Sequence, residues 1–184
     1  RGLNNYDVPQ YHQYYCVDDS LGLPDNNITD IYRDSHNRLW VATVNGVCLY
    51  QTNGNFKRVS INGNNKNIEK ILEDKEGRIF LLTITDLYQY DEKNNKAIIR
   101  LSKMVEKNCY NYSCHIDRKD VMWIVTSYSV KGYRTQDLKL IVQSPVQSYP
   151  IASFLLDGHQ LYISGYNGMQ LFDTNTRKWQ HLPA

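Results

Sequence analysis

The chain has 184 residues, 41% apolar and 22% charged, the balance of an ordinary globular protein, which excludes bulk disorder. A net charge of +2 with no Lys/Arg stripe excludes a field suited to gripping nucleic acid, so no nucleic-acid partner is expected. No apolar run approaches the roughly 20 residues of a membrane helix, so no membrane contact is expected of this segment, and the opening RGLNNYDVPQ lacks the apolar core of an export signal.

Fifteen tyrosines against four phenylalanines favour strands, and eighteen asparagines, many paired, favour tight turns. In chain order, the first strand-like run is Tyr11 to Val17 (YHQYYCV). Ile28 to Arg33 follows, ending at Asp34, whose carboxylate is placed to cap the next turn. Leu39 to Thr43 is continuously apolar, as expected of a strand covered on both faces. Asn45-Gly46 turns into Val47 to Tyr50, and a more polar strand, Phe56 to Val59, comes next.

The series then repeats at an offset of 40 residues without a gap. Ile28 matches Ile68, Asp34 matches Asp74, Arg38 matches Arg78, Trp40 matches Phe80, Thr43 matches Thr83 and Tyr50 matches Tyr90. Asp117 and Trp123 begin a third copy, with the same spacing as Asp34 and Trp40. Asp157 and Tyr162 mark a fourth, one residue shorter because Asp157-Gly158 forms a two-residue hairpin turn. Asn167-Gly168 turns there into Met169 to Phe172. Asn37, Gly77 and Asp120 share one turn position, where a positive φ is expected. The fourth strands are Ala97 to Arg100, Leu138 to Val142 and Trp179 to Leu182.

Four antiparallel strands per 40 or so residues, repeated, predict an all-β chain of β-propeller blades. The blades are expected over residues 23–62, 63–105, 106–146 and 147–184, with 1–22 supplying the outer strand of a preceding blade. A leucine-rich solenoid would need a regular Leu/Asn ladder that is absent, and no copy carries a helical apolar stripe.

Candidate chemistry is sparse. Cys16, Cys48, Cys109 and Cys114 have no C-x-x-C spacing, so a zinc site is not expected. Buried thiols are the ordinary reading, and a disulfide stays open if the compartment is oxidising. His12, His36, His115, His159 and His181 are scattered over turns and strands. His115 adjoins Cys114, but neighbouring strand residues face opposite ways, so no metal or nucleophile pair is expected. An aspartate repeated in every copy implies a structural role, since one active site does not need four. No catalytic residue and no cofactor are expected. Tyr128 and Tyr166 fall in loops after second strands, Tyr166 beside Asn167. Aromatic faces next to amides suit sugar binding, through stacking and hydroxyl hydrogen bonds. The ordinary alternative is that these rings pack between blades.

The run Leu23-Pro24-Asp25-Asn26-Asn27-Ile28, then Asp34, then Arg38 to Thr43, then Asn45-Gly46-Val47, resembles the two-component regulator propeller repeat. The first copy is nearest, with Asn37 for the usual Gly. The second has Phe80 in place of Trp, and the third keeps Asp117, Trp123 and Thr126 but has a longer loop before Gly132. The fourth retains Asp157, Tyr162 and Gly168, so the resemblance spans roughly residues 11–182.

The resemblance implies part of the periplasmic sensor region of a hybrid two-component system, as in Bacteroidetes. That sensor would detect glycan-derived oligosaccharides and relay to a histidine kinase outside this chain, in a parent protein anchored in the inner membrane. Propellers of that family usually have seven blades, so about four blades form part of a larger ring, or an arc completed by another copy. Exposed blade edges favour such self-association. The alternatives are a non-catalytic protein-interaction propeller and, less favoured, a glycan-active enzyme. The last needs a carboxylate pair or a Tyr/His base, for which the loops offer no convergent set.

Overall fold

The computed structural model describes residues 3–7, 10–14, 22–62, 66–104, 113–146, 150–156 and 158–180. Cys16, Cys109, Asp157, His181 and Leu182 lie outside the described residues, as do positions 15–17 of the first expected strand. What is described is strand and turn, as expected for an all-β chain. Among the described residues no helix is long and apolar enough to cross a membrane.

β1 (Leu3–Asp7) and β2 (Gln10–Tyr14) form a two-stranded antiparallel hairpin. Four sheets of blade type follow, each an antiparallel meander in chain order. The first sheet is β3 (Ile28–Arg33), β4 (Leu39–Thr43), β5 (Gly46–Tyr50) and β6 (Phe56–Arg58). A two-residue strand, β7 (Ser60–Ile61), leaves it to pair in parallel with the outer strand of the second sheet. That sheet is β8 (Lys70–Glu73), β9 (Ile79–Leu82), β10 (Leu87–Asp91) and β11 (Lys96–Leu101). The third is β12 (Ser113–Ile116), β13 (Val121–Val125), β14 (Ser129–Arg134) and β15 (Leu140–Pro145). The fourth is β16 (Pro150–Leu156), β17 (Gln160–Gly165), β18 (Gly168–Asp173) and β19 (Lys178–Gln180).

The chain divides into two compact units, Arg1–Ser102 and Lys103–Ala184. In the first, Trp40, Ala42, Val47 and Leu49 pack against Ile71, Ile79, Leu81, Tyr88 and Ala97. The Trp40 ring meets Tyr90 edge-on at 4.8 Å between centroids. Val41, Cys48 and Phe56 point the other way and are buried with Leu23. Both faces of β4 and β5 are therefore covered, which is why their sequences run apolar without alternation. In the second unit Val121, Trp123, Val125 and Val130 pack on Leu161, Ile163 and Phe172, with Trp179 partly buried against them. The ring centroids of Trp123 and Phe172 lie 5.6 Å apart.

The repeated aspartate caps its turn. Asp34 Oδ1 accepts from the His36 and Arg38 amides at 3.0 and 2.8 Å, while Oδ2 accepts from Trp40 Nε1 at 2.8 Å and Arg38 Nε at 2.6 Å. Asp117 repeats this with the Lys119 and Val121 amides and Trp123 Nε1. Asp74 takes the Glu76 and Arg78 amides and Arg78 Nε at 2.6 Å, as Asp34 takes Arg38 Nε, while Phe80 has no N–H to add. The shared turn position has positive φ in all three copies: 65° at Asn37, 75° at Gly77 and 64° at Asp120.

One alignment is corrected. Gly132 is not at a turn after a lengthened loop; it lies within β14, opposite Trp123. A Cβ there would stand 2.9 Å from Trp123 Cζ3, so this glycine exists to let the indole lie flat across the sheet. The third copy's turn is Thr126 to Ser129, the same length as in the first. Two outer strands also differ in extent: β15 starts two residues later than expected and runs on to Pro145, and β19 begins at Lys178.

Candidate functional site

In an antiparallel meander the turns joining strands one to two and three to four share one end of the sheet. The turn joining strands two to three stands alone at the other. In the third sheet that turn is built on Thr126, whose Oγ1 donates to the Ser129 carbonyl at 3.1 Å and accepts from the Tyr128 and Ser129 amides. Thr43 and Thr83 build the first two sheets' turns in the same way. The Tyr128 carbonyl in turn accepts from the Val146 amide at 3.0 Å, pinning the turn to the end of β15. Tyr128 is left 53% exposed.

In the fourth sheet Gly165 stands where the threonine would, and the hairpin closes through the Gly165–Gly168 pair, with Gly168 at φ 98°. This presents Tyr166, at 79% exposure, next to exposed Asn167, with Met169 exposed at the start of β18. Tyr166 and Asn167 thus share one turn, and Tyr128 sits on the matching turn of the neighbouring sheet. Neither ring is buried among the blades.

Sequence reasoning passed over a second cluster. His115 Nε2 on β12 lies 3.0 Å from Ser153 Oγ and 3.2 Å from the Ser153 carbonyl on β16, and the Ser113 and Ser153 hydroxyls hydrogen-bond. Ser113 and His115 are two apart and share a strand face; the signal available was that Ser113 and Ser153 are 40 residues apart, equivalent in adjacent repeats. A carbonyl only accepts, so the contact with the Ser153 carbonyl is a hydrogen bond in the tautomer that carries its proton on Nε2. The matching rung of the first unit holds Asp30 and Lys70, paired at 3.1 Å. Both rungs tie neighbouring first strands together.

Other titratable groups serve the fold. Burial pushes the Cys48 thiol up to about 12, and Cys48 and Cys114 are both buried. Burial, then the hydrogen bond to Glu73, raises the Tyr32 hydroxyl to about 12. Among the described residues no three His, Cys, Asp or Glu side chains converge as metal ligands. A pocket of about 130 Å³ beside the first sheet's Asn45-Gly46 turn is smaller than the roughly 300 Å³ at which ligand sites begin. The Arg58 guanidinium in its wall is tied to the Gly22 and Leu23 carbonyls.

Residues 22–45 match the family described as two component regulator propeller, so the resemblance read from the sequence holds over the first repeat. No curated protein matches the chain. Among solved structures it is similar to the extracellular domain of a proposed one component system from B. thetaiotaomicron, at 16% identity and a TM-score of 0.55, covering 100% of this chain and 34% of that one. It is also similar to virginiamycin B lyase from Staphylococcus aureus, at 12% identity and a TM-score of 0.73, covering 94% and 59%. The extracellular domain of a proposed hybrid two component system from B. thetaiotaomicron gives 18% identity and a TM-score of 0.70, covering 100% and 26%. At these identities the likeness establishes the propeller fold. The chain spans about a third of the first of these proteins and about three-fifths of the lyase.

Proposed function

We propose that this chain is part of the periplasmic sensor propeller of a hybrid two-component system, in a protein anchored in the inner membrane. It takes up a glycan-derived oligosaccharide and passes the signal to a histidine kinase outside the chain, without catalysing a reaction itself. The observation that carries this reading is the match of residues 22–45, Asp34 cap and Arg38 to Thr43 strand included, to the regulator propeller repeat. Residues 1–22, which hold the β1–β2 hairpin, are then assigned to a preceding blade as its outer strand. Tyr128, Tyr166 and Asn167 are the ligand-binding residues, a reading supported by two exposed rings and an exposed amide on matching turns.

Thermal denaturation of the chain against a panel of oligosaccharides tests this. A ligand at about 100 times its Kd adds about 2.7 kcal/mol and raises the Tm by several degrees. A rise with one glycan and no turnover of it is the expected result. Turnover would favour a glycan-active enzyme. A panel without effect, together with a stable complex with another protein, would favour an interaction module.

A further inference from the structure

We infer that the end of the second unit bearing Tyr128 and Tyr166 takes an uncharged saccharide, not an anionic one; this rests on the glycan-sensing reading and narrows it. The ground is where the unit keeps its charge. Ten of the unit's twelve described Asp, Glu, Lys and Arg residues fall in the segments 117–120, 134–139 and 173–178. Those segments are the turns joining strands one to two and three to four, so all ten sit at one end of the two sheets. Of the other two, Lys103 precedes the first strand of the unit, and Lys131 is buried with its ammonium on the Met104 carbonyl at 2.9 Å.

At the opposite end, the described segments 125–130, 143–146 and 163–170 carry no ionisable acid or base other than tyrosine. There Tyr128, Tyr166 and Met169 are more than half exposed, and Asn167 is exposed beside them. An exposed aromatic and apolar surface on turns without charge, in an otherwise well-charged unit, marks a binding surface. A carboxylate or sulfate ester surrenders its hydration on binding and must gain a cation in exchange. The segments 125–130, 143–146 and 163–170 hold none. A neutral sugar asks for what is present: a ring to lie against its C–H face, and an amide and phenol hydroxyls for its hydroxyls.

Isothermal titration of the chain distinguishes the cases. The probes are neutral oligosaccharides of glucose, mannose, xylose and arabinose, set against size-matched oligogalacturonates and sulfated glycosaminoglycan fragments. The expected result is a neutral ligand whose affinity changes less than about twofold between about 0.05 and 0.5 M salt. That affinity should fall about tenfold in Tyr166→Ala and be largely kept in Tyr166→Phe. Tyr166 is too exposed for its truncation to disturb the core. Preference for an anionic glycan, weakened by salt and by Tyr166→Ala, would overturn the inference while leaving the glycan reading in place. A neutral glycan bound equally by Tyr166→Ala and Tyr128→Ala would overturn the placement and again spare the reading. If no glycan binds and a protein partner is captured through this face, both fall.

Discussion

At Asp34 four donors converge on one buried carboxylate, and the polar bonding of the first sheet's first turn is concentrated there. Burial alone would raise its pKa; the Trp40 indole, the Arg38 amide and the Arg38 side chain outweigh this and hold the carboxyl below its ordinary value. Asp34→Asn keeps the shape but turns an amide N–H toward Trp40 Nε1 or Arg38, setting donor against donor. The expected cost is about 2–3 kcal/mol in a denaturant melt. The pH dependence has a definite sign. A depressed folded pKa stabilises the protein above the unfolded value of about 3.9, and that stabilisation is lost as pH falls through the folded value. Asp173, held down first by the Thr176 amide, acts in the same direction. The wild-type chain should therefore lose stability below about pH 4 more steeply than Asp34→Asn, whose residue 34 does not titrate. Parallel acid limbs would show that the cap contributes nothing through its charge.

The elements legible in the sequence are those whose two faces are buried. β4, β9 and β13 read as LWVA, IFLL and VMWIV because each is covered from both sides, and period-two alternation disappears. The capping aspartates and the positive-φ turns were legible because their chemistry is local. Outer strands were misjudged at their ends because a polar, half-exposed strand differs little in composition from the loop beside it. β7 could not be read at all: two residues become a strand only because the edge of β11 lies within reach. The His115–Ser153 bond joins residues 38 apart, and the grouping of the second unit's turns without charge becomes visible only once topology assigns each turn to an end. Gly132 shows a local cue misleading, since a glycine after a threonine suggests a turn. Here the missing Cβ makes room for an indole. Gly132→Ala should destabilise the protein by about 1–3 kcal/mol through overpacking against Trp123. Trp123→Phe in the Ala background should recover part of that loss if ring width is the cause. Equal melts for wild type and Gly132→Ala would mean that the indole has room to move.

On the scale of the whole molecule, the four sheets differ in how well their outer strands are guarded against other chains. β6 carries Lys57 and Arg58, β19 begins at Lys178, and β15 ends in Pro145, all features that discourage edge-to-edge pairing. β11 is different. Ile98 and Ile99 are 43% and 44% exposed and point to opposite faces, while β7 pairs with the strand at Lys96 and Ala97, short of both. That pairing also demonstrates that the edge accepts a strand through main-chain bonds. Self-association, if it proceeds through blade edges, should therefore run through β11 before the other three. Sedimentation velocity should then show a mass rising with concentration toward a dimer, and Ile98→Lys should shift the equilibrium about tenfold or more toward monomer by placing a charge on the pairing face. Gln180→Lys in β19, where Lys178 already stands, should leave the equilibrium unchanged. A chain that stays monomeric up to about 0.5 mM would mean that Lys96 and Arg100, flanking the two isoleucines, protect this edge well enough on their own.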